Sequence, residues 1–561
     1  MADTTTSDHV GDTHNNMPSA PPTSEHMAMQ VGHDHHEEDL AGALTETPDI
    51  HNVPIKIQRA KDVYDEFART TEKQPTNGEI YSWYLYGLCS YFITTVLVPI
   101  LFPLLISQVV SRSPSSVPAV QGRSLQSLAD LMNCTRLNEM QLYKGLTQPS
   151  IKVLDFKISA LEWTALSWAI GILLVSPILI FIARHLDHGR RQNQNLIFGG
   201  AILIGSFFCL PVGFFKVKWI FILYIIAIVI ASTVSTVFHT RHLGLMVRGF
   251  FMGSSIEKHQ FHERKSIVSS LSLYATAAGC LGAGIISAFI YHMLYHTEKL
   301  TSLWIVSIFC GLKWSIGTIH ALSANRPSST QPSSSAVLPP SRKNHLLSVF
   351  KYPHAVGSLV AILISSFTSI CIFMGGLHYV VGQLCVKPIF ILFLFLTYFI
   401  LPLFALPLFH PLQLVIKTDA MRMQFLGFFV SAMASGFGFY FKNKNWNHLH
   451  LSVLVAFQSI SAGILHAFGR VLLLDCTPPN KEGVFSVWFA WVRAVGTCGG
   501  FAVSSIFYDN VAVTFGIAFC AAIVGKFILI LGKVSNFAGA IAAGHVLEEY
   551  MISEKGSPDE R

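Results

Sequence analysis

Long apolar runs alternate with short polar turns from about residue 83 to residue 531. Ile220–Val237 and Pro388–Phe409 each approach or exceed the roughly 18–20 residues needed to cross about 30 Å of hydrocarbon. Inside lipid the backbone must satisfy its own hydrogen bonds, so runs of this length predict helices. The shorter, alternating segments of a membrane β-barrel are absent from the sequence. The pattern predicts spans at about Trp83–Ser107, Ser159–Ala183, Leu196–Phe215, Trp219–Phe238, Ile267–Tyr291 and Leu303–Leu322. Six more follow, at about Ala355–Val381, Pro388–Phe409, Met423–Phe441, Leu449–Leu474, Val484–Phe507 and Val511–Leu531.

Polar segments divide these spans into two sets. Residues 1–80 lack an apolar leader and are rich in Asp, Glu, His, Thr and Pro, so they predict a disordered tail with a short helix at Asp62–Lys73. Residues 81–322 then form a first six-helix bundle, 323–354 a Ser- and Pro-rich linker, 355–534 a second six-helix bundle, and 535–561 a second tail. Two six-helix halves around a central linker resemble the major facilitator class, whose halves are parallel repeats flanking a central path. The expected fold is therefore an all-α polytopic membrane protein, major-facilitator-like, with six plus six transmembrane helices.

Composition agrees. Only 13% of residues are charged, against roughly 25% in soluble domains. The 10 cysteines form no CxxC pair and fall mostly within apolar runs, so neither a disulfide framework nor a metal knuckle is indicated. Net charge is +7, but its placement matters more. With the amino terminus in the cytosol, short cytosolic loops hold the greater share of Lys and Arg, including Arg184, Arg190, Arg191, Arg241, Arg248, Arg264 and Lys265. Both termini are thus expected in the cytosol. The same topology puts the acceptor pattern Asn133-Cys134-Thr135 on the opposite side, where Asn133 can carry glycan.

The sharpest local motif is Arg184-His185-Leu186-Asp187-His188-Gly189-Arg190-Arg191, between the second and third spans. Asp187, Gly189, Arg190 and Arg191 resemble the facilitator signature at that loop, one residue shorter than its common form. The resemblance implies charge-assisted contacts that change during alternating access; the alternative is a basic turn in which Gly189 supplies a positive φ. Small residues from Ala275 to Gly284 in the fifth span resemble a Gly-rich helix of antiporter-type facilitators without its usual Pro, or serve close static packing.

Charges within spans are costly and therefore point to function or to ion pairing. Glu162, Lys313, Arg470 and Arg493 are the candidate cavity-lining residues, with Asp475 and Lys526 also within or at the edge of spans. For Arg493 the rival is an ion pair with Asp475, Glu162 or Glu482. His239, His378 and His466 are candidates for proton relay or structural hydrogen bonding. His33-Asp34-His35-His36-Glu37-Glu38 reads better as a solvated run than as a metal site. No P-loop, GxSxG elbow, HExxH or paired-carboxylate signature occurs, so no enzyme, cofactor or nucleic-acid partner is expected.

Two segments carry a narrower likeness. Gly78-Glu79-Ile80-Tyr81-Ser82-Trp83-Tyr84-Leu85-Tyr86-Gly87, continuing to Val98-Pro99-Ile100 and Gln108, resembles the opening helix of the autophagy-related vacuolar amino-acid effluxer family. Thr477-Pro478-Pro479-Asn480-Lys481-Glu482-Gly483-Val484-Phe485-Ser486 resembles that family's entry into the eleventh span. The resemblance implies export of neutral amino acids from a vacuole. The expected function is secondary transport of a small organic solute across a vacuolar or plasma membrane, with proton coupling open. The alternatives are another solute (a sugar, nitrate or a metal chelate) or a transporter-like receptor or scaffold.

Overall fold

The computed structural model describes residues 74–111, 137–153, 155–188, 191–215, 217–251, 260–297, 300–324, 326, 342–384, 386–441, 446–479, 481–534 and 536–545. Asp62–Lys73, the run from His33 to Glu38, Asn133, Gly189 and Arg190 lie outside the described residues. Among those described, twelve helices are long and apolar enough to cross a membrane. In order they are Asn77–Val110, Ala160–Asp187, Asn193–Gly213, Ile220–Phe250, Phe261–Tyr295 and Ser302–Ser323, then Pro353–Gln383, Pro388–Ile416, Ala420–Tyr440, His448–Asp475, Glu482–Ile506 and Val511–Leu531.

Their packing repeats. In the first half the first span packs on the fifth, the third on the fourth and sixth, and the second on the fourth. Adding six to each number gives contacts found in the second half: seventh on eleventh, ninth on tenth and twelfth, eighth on tenth. The halves meet where the second span packs on the eleventh and the fifth on the eighth, a pair that the same exchange interconverts. Two parallel repeats around a shared seam are the facilitator arrangement. The third, eighth and twelfth spans are the least buried of the twelve, at 33%, 22% and 33%, and their exposed faces carry Leu203, Ile204, Phe404, Leu408, Phe527 and Ile530. Apolar faces of that kind suit lipid contact.

Three local features shape the bundle. The first span opens at Thr76, whose hydroxyl accepts from the Glu79 amide at 3.3 Å, and widens into a π-helix over Ile93–Leu101. Pro99 sits inside that π turn and cannot donate there, and such turns accumulate at functional places. At Gly282 an added Cβ would collide with the Leu88 carbonyl, so the small residues of the fifth span let it lie against the backbone of the first. A short antiparallel pair, β1 (Ile151–Val153) with β2 (Phe156–Ile158), leads directly into the second span.

Between the first and second spans, the loop helix Leu137–Thr147 reaches across to the second half. Burial holds the Tyr143 phenol well above its ordinary pKa, so it stays a donor and gives its proton to the Tyr508 carbonyl at 3.2 Å. The Tyr143 ring also closes on Gly382, at the end of the seventh span.

One expectation needs correction. The basic stretch from Arg241 to Lys265 reads as a loop, but the fourth span continues as helix to Phe250 and the fifth starts at Phe261. The four described Arg and Lys residues of the stretch are accommodated because each meets a partner outside its own helix. Arg241 donates to Gln194 at 2.9 Å, Arg248 pairs with Glu482 and Arg264 with Asp475, both at 2.8 Å, and Lys265 pairs with Asp419.

Candidate functional site

Asp187 ends the second span, and its carboxylate caps the eleventh. One oxygen accepts from the Gly483 amide at 2.7 Å, the other from the Val484 amide at 3.1 Å, and His345 of the linker segment meets the second oxygen at 3.0 Å. The first amides of a helix have no partners within it, and the helix dipole adds positive potential there, so a buried carboxylate fits this position. The approach is close enough that a Cβ on Gly483 would overlap the Asp187 carboxylate and lie 2.6 Å from the Leu186 Cβ. Around this contact stand the Arg248–Glu482, Arg264–Asp475 and Lys265–Asp419 pairs. Every one of them joins the first half to the second. Together they form a gate at the end of the bundle that carries the loop between the second and third spans.

The opposite end is open. A vestibule of about 510 Å³ is bordered by Pro99 and Gln108 of the first span, Tyr143 of the loop helix, Tyr291 of the fifth and His378 of the seventh. Chain connectivity fixes its side: the loop helix joins spans one and two, while Asp187 lies between spans two and three. Deeper in, a pocket of about 60 Å³ occupies the seam between halves. Its wall presents hydroxyls of Tyr91, Thr94, Thr95, Ser365, Ser366 and Thr497 together with the His466 imidazole and the Arg493 guanidinium. No Asp or Glu is among its lining residues. Beside the gate lies a cavity of about 10 Å³, bordered by Arg241, Arg470, Glu482 and Ser486. The three cavities, of about 510, 60 and 10 Å³, thus become smaller from the vestibule toward the Asp187 contact.

The sequence-derived candidates fall in different places. Arg493 lines the central pocket, and none of its three proposed partners is bound to it. Asp475 pairs with Arg264, Glu482 with Arg248, and Glu162 closes a capping box at the start of the second span. In that box Glu162 accepts from the Ser159 amide at 2.7 Å while its own amide donates to the Ser159 hydroxyl at 3.2 Å. Arg470 borders the small space beside the gate, bonds His466 at 2.9 Å and lies 5.4 Å over the Trp83 ring. Lys313 sits apart within the first half, donating to the Gly282 carbonyl at 2.6 Å and lying 4.9 Å over Phe92. The structure therefore brings Arg470, His466 and Arg493 together and leaves Glu162 and Lys313 elsewhere. His239 stacks on Trp83 in the first half, and His378 faces the vestibule. Arg191 begins the helix of the third span.

Most of the gate is not legible in the sequence, where Arg248, Arg264 and Lys265 read only as loop charges and His345 and Gly483 carry no role. One signal was present: Arg241 and Arg248 are seven residues apart, two helical turns, which places both on one face. Missed too was Glu79, whose carboxylate takes a two-pronged contact from Arg326 at 2.6 and 3.0 Å and lies 2.9 Å from His242. This cluster ties the start of the first span to His242 of the fourth and to Arg326, three residues beyond the sixth.

No family model matches the chain, and no curated protein does. Among solved structures it is similar to the human organic anion transporter MFSD10 (TETRAN), with a TM-score of 0.51 and 12% identity, over 81% of this chain and 100% of that one. At that identity the likeness is one of fold. The major-facilitator-like architecture stands on it together with the twelve spans; the likeness to amino-acid effluxers rests on the two sequence segments alone.

Proposed function

We propose that the chain is a secondary transporter that carries a small carboxylate-bearing solute by alternating access. The observation that carries this reading is Arg493, a guanidinium on the wall of the central pocket with no acidic side chain beside it. A buried cation without a carboxylate partner is costly, and a substrate anion offsets that cost. The planar fork of arginine suits two-pronged binding of a carboxylate. Arg470, close enough to repel Arg493, adds to the same positive field, while the His466 ring nitrogen accepts from Arg470 and so belongs to a neutral imidazole.

Neutral amino acids, which the first-span resemblance implies, carry such a carboxylate. Their ammonium group would meet only hydroxyl and carbonyl oxygens at this wall. Binding energy need only bias two nearly equal packings of the halves, with the gate contacts broken in one of them. We assign the Asp187 end to the cytosol, from its excess of Lys and Arg, with vacuolar or plasma membrane as the site of residence. The fold of MFSD10, named as an organic anion transporter, agrees in kind with an anionic solute.

The experiment is radiotracer flux into proteoliposomes with and without a pH gradient, competed by amino acids, other carboxylates, sugars, nitrate and metal chelates. Competition confined to carboxylates, lost in Arg493→Leu, is the expected result. Competition by sugars alone, or flux unchanged in Arg493→Leu, would overturn it. Dependence on the gradient reads out whether a proton accompanies the solute.

A further inference from the structure

Beside the central pocket lies a second cavity of about 90 Å³, built wholly from the second half. Its wall is aliphatic and aromatic, and Gln458 of the tenth span is its single amide. Gln458 is 4% exposed, yet neither its Nε2 nor its Oε1 has a partner among the described residues. Buried polar atoms are nearly always paired, and one that faces a cavity marks a place where something else completes it.

The cavity shares walls with both of the others. Phe373 and Tyr398 line both it and the central pocket, while Leu377, Ile391 and Phe395 line both it and the vestibule. His466 of the central pocket stands eight residues after Gln458 on the same helix, a rise of about 12 Å. At Gly376, on the cavity wall, an added Cβ would meet nothing within 4 Å, so the space beside that backbone is empty.

We propose that the transported solute is an amphipathic monoanion: its carboxylate rests on Arg493, its apolar body fills the side cavity, and a hydroxyl at its far end reaches Gln458. This deepens the function proposed above and rests on it. The chemistry follows from the walls. A hydrocarbon body matches the apolar lining, and a single hydroxyl can both donate to the amide oxygen and accept from the amide nitrogen. A second charge at that end would be buried without a counter-ion.

The test is equilibrium binding to the purified full-length protein in nanodiscs, with empty nanodiscs as the blank, using radiolabelled butanoate, decanoate and ω-hydroxydecanoate. The extended ω-hydroxy acid is about as long as the roughly 12 Å rise between Gln458 and His466 of the central pocket. Wild type is expected to bind ω-hydroxydecanoate most tightly. Gly376→Leu fills the empty space and should weaken both long acids by about tenfold or more, leaving butanoate unchanged. Gln458→Leu should erase the preference for ω-hydroxydecanoate over decanoate, because no amide remains to be satisfied. If Gly376→Leu leaves the long acids unaffected, or weakens all three acids equally, the side cavity is not part of the site. Butanoate binding that still requires Arg493 would then keep the carboxylate reading intact. Failure of wild type to bind any of the three would overturn both.

Discussion

Replacing Asp187 by Asn tests the gate with little change in shape. The wild-type carboxylate accepts from two backbone amides at 2.7 and 3.1 Å and meets His345 at 3.0 Å, at the positive end of the eleventh helix. An amide keeps one acceptor oxygen but loses the charge, and it brings a donor to face one of those two helix amides. Hydrogen bonds to charged groups contribute about 1.5–3 kcal/mol each, so losing one such contribution should shift the shut-to-open equilibrium roughly 10- to 150-fold. Ser486 is 4% exposed beside the gate and borders the small cavity there, so a cysteine in its place reacts only when the gate opens. In Ser486→Cys protein, labelling by an impermeant maleimide should therefore be slow, and in Ser486→Cys with Asp187→Asn faster by about that factor, because labelling follows the open population. The parent chain supplies the background from its own cysteines. An unchanged labelling rate would mean that the Asp187 contact does not hold the gate shut, and only the basic-turn reading of the loop would remain.

Other outcomes follow from the same geometry and, for Arg191, from the loop motif alone. Asp187→Ala and Arg191→Ala should both depress flux while leaving abundance largely intact; equal loss of protein would point to a folding role instead. Arg493→Lys keeps the charge but loses the fork, so it should traffic normally and raise the KM for carboxylates by about tenfold or more, measured by flux. Asp475→Leu leaves Arg264 buried without its partner at a cost of about 3–5 kcal/mol and should lower Tm, whereas Arg264→Leu with Asp475→Leu should recover most of it. Tags at both termini should be reached only after the cytosolic face is permeabilised; accessibility on opposite faces would contradict an even number of crossings.

Much of the architecture was legible in the sequence because lipid imposes one rule on every span: an apolar run of sufficient length must be a helix. The six-plus-six division followed from one long polar segment. Less legible were the helix ends. The fourth span looked finished where its apolar run stopped, since nothing local reveals that Arg248 and Arg264 have carboxylates waiting on the tenth and eleventh spans. Charge alone likewise failed to sort the site residues. Glu162, Lys313 and Arg493 look equally anomalous in one dimension, yet the first is satisfied by Ser159, the second by the Gly282 carbonyl, and only Arg493 faces the central pocket. Gln458 drew no notice because an uncharged side chain in a span raises little suspicion until its partners are counted.

The loop helix over the vestibule has a consequence for how the protein meets its surroundings. Its backbone belongs to the first half, while Tyr143 is held by Tyr508 and Gly382 of the second. Among the described residues this strap across the mouth is fastened by a phenolic hydrogen bond and by the Tyr143 ring against Gly382 and the edge of His378. Under the alternating access proposed above, any rearrangement that turns the halves about their seam must slide or release that strap, so its seating changes with each cycle. An antibody fragment raised against Leu137–Thr147 in this seating would therefore act as an inhibitor from the far side of the membrane without entering the solute path, and its binding rate would report how often the strap is fastened.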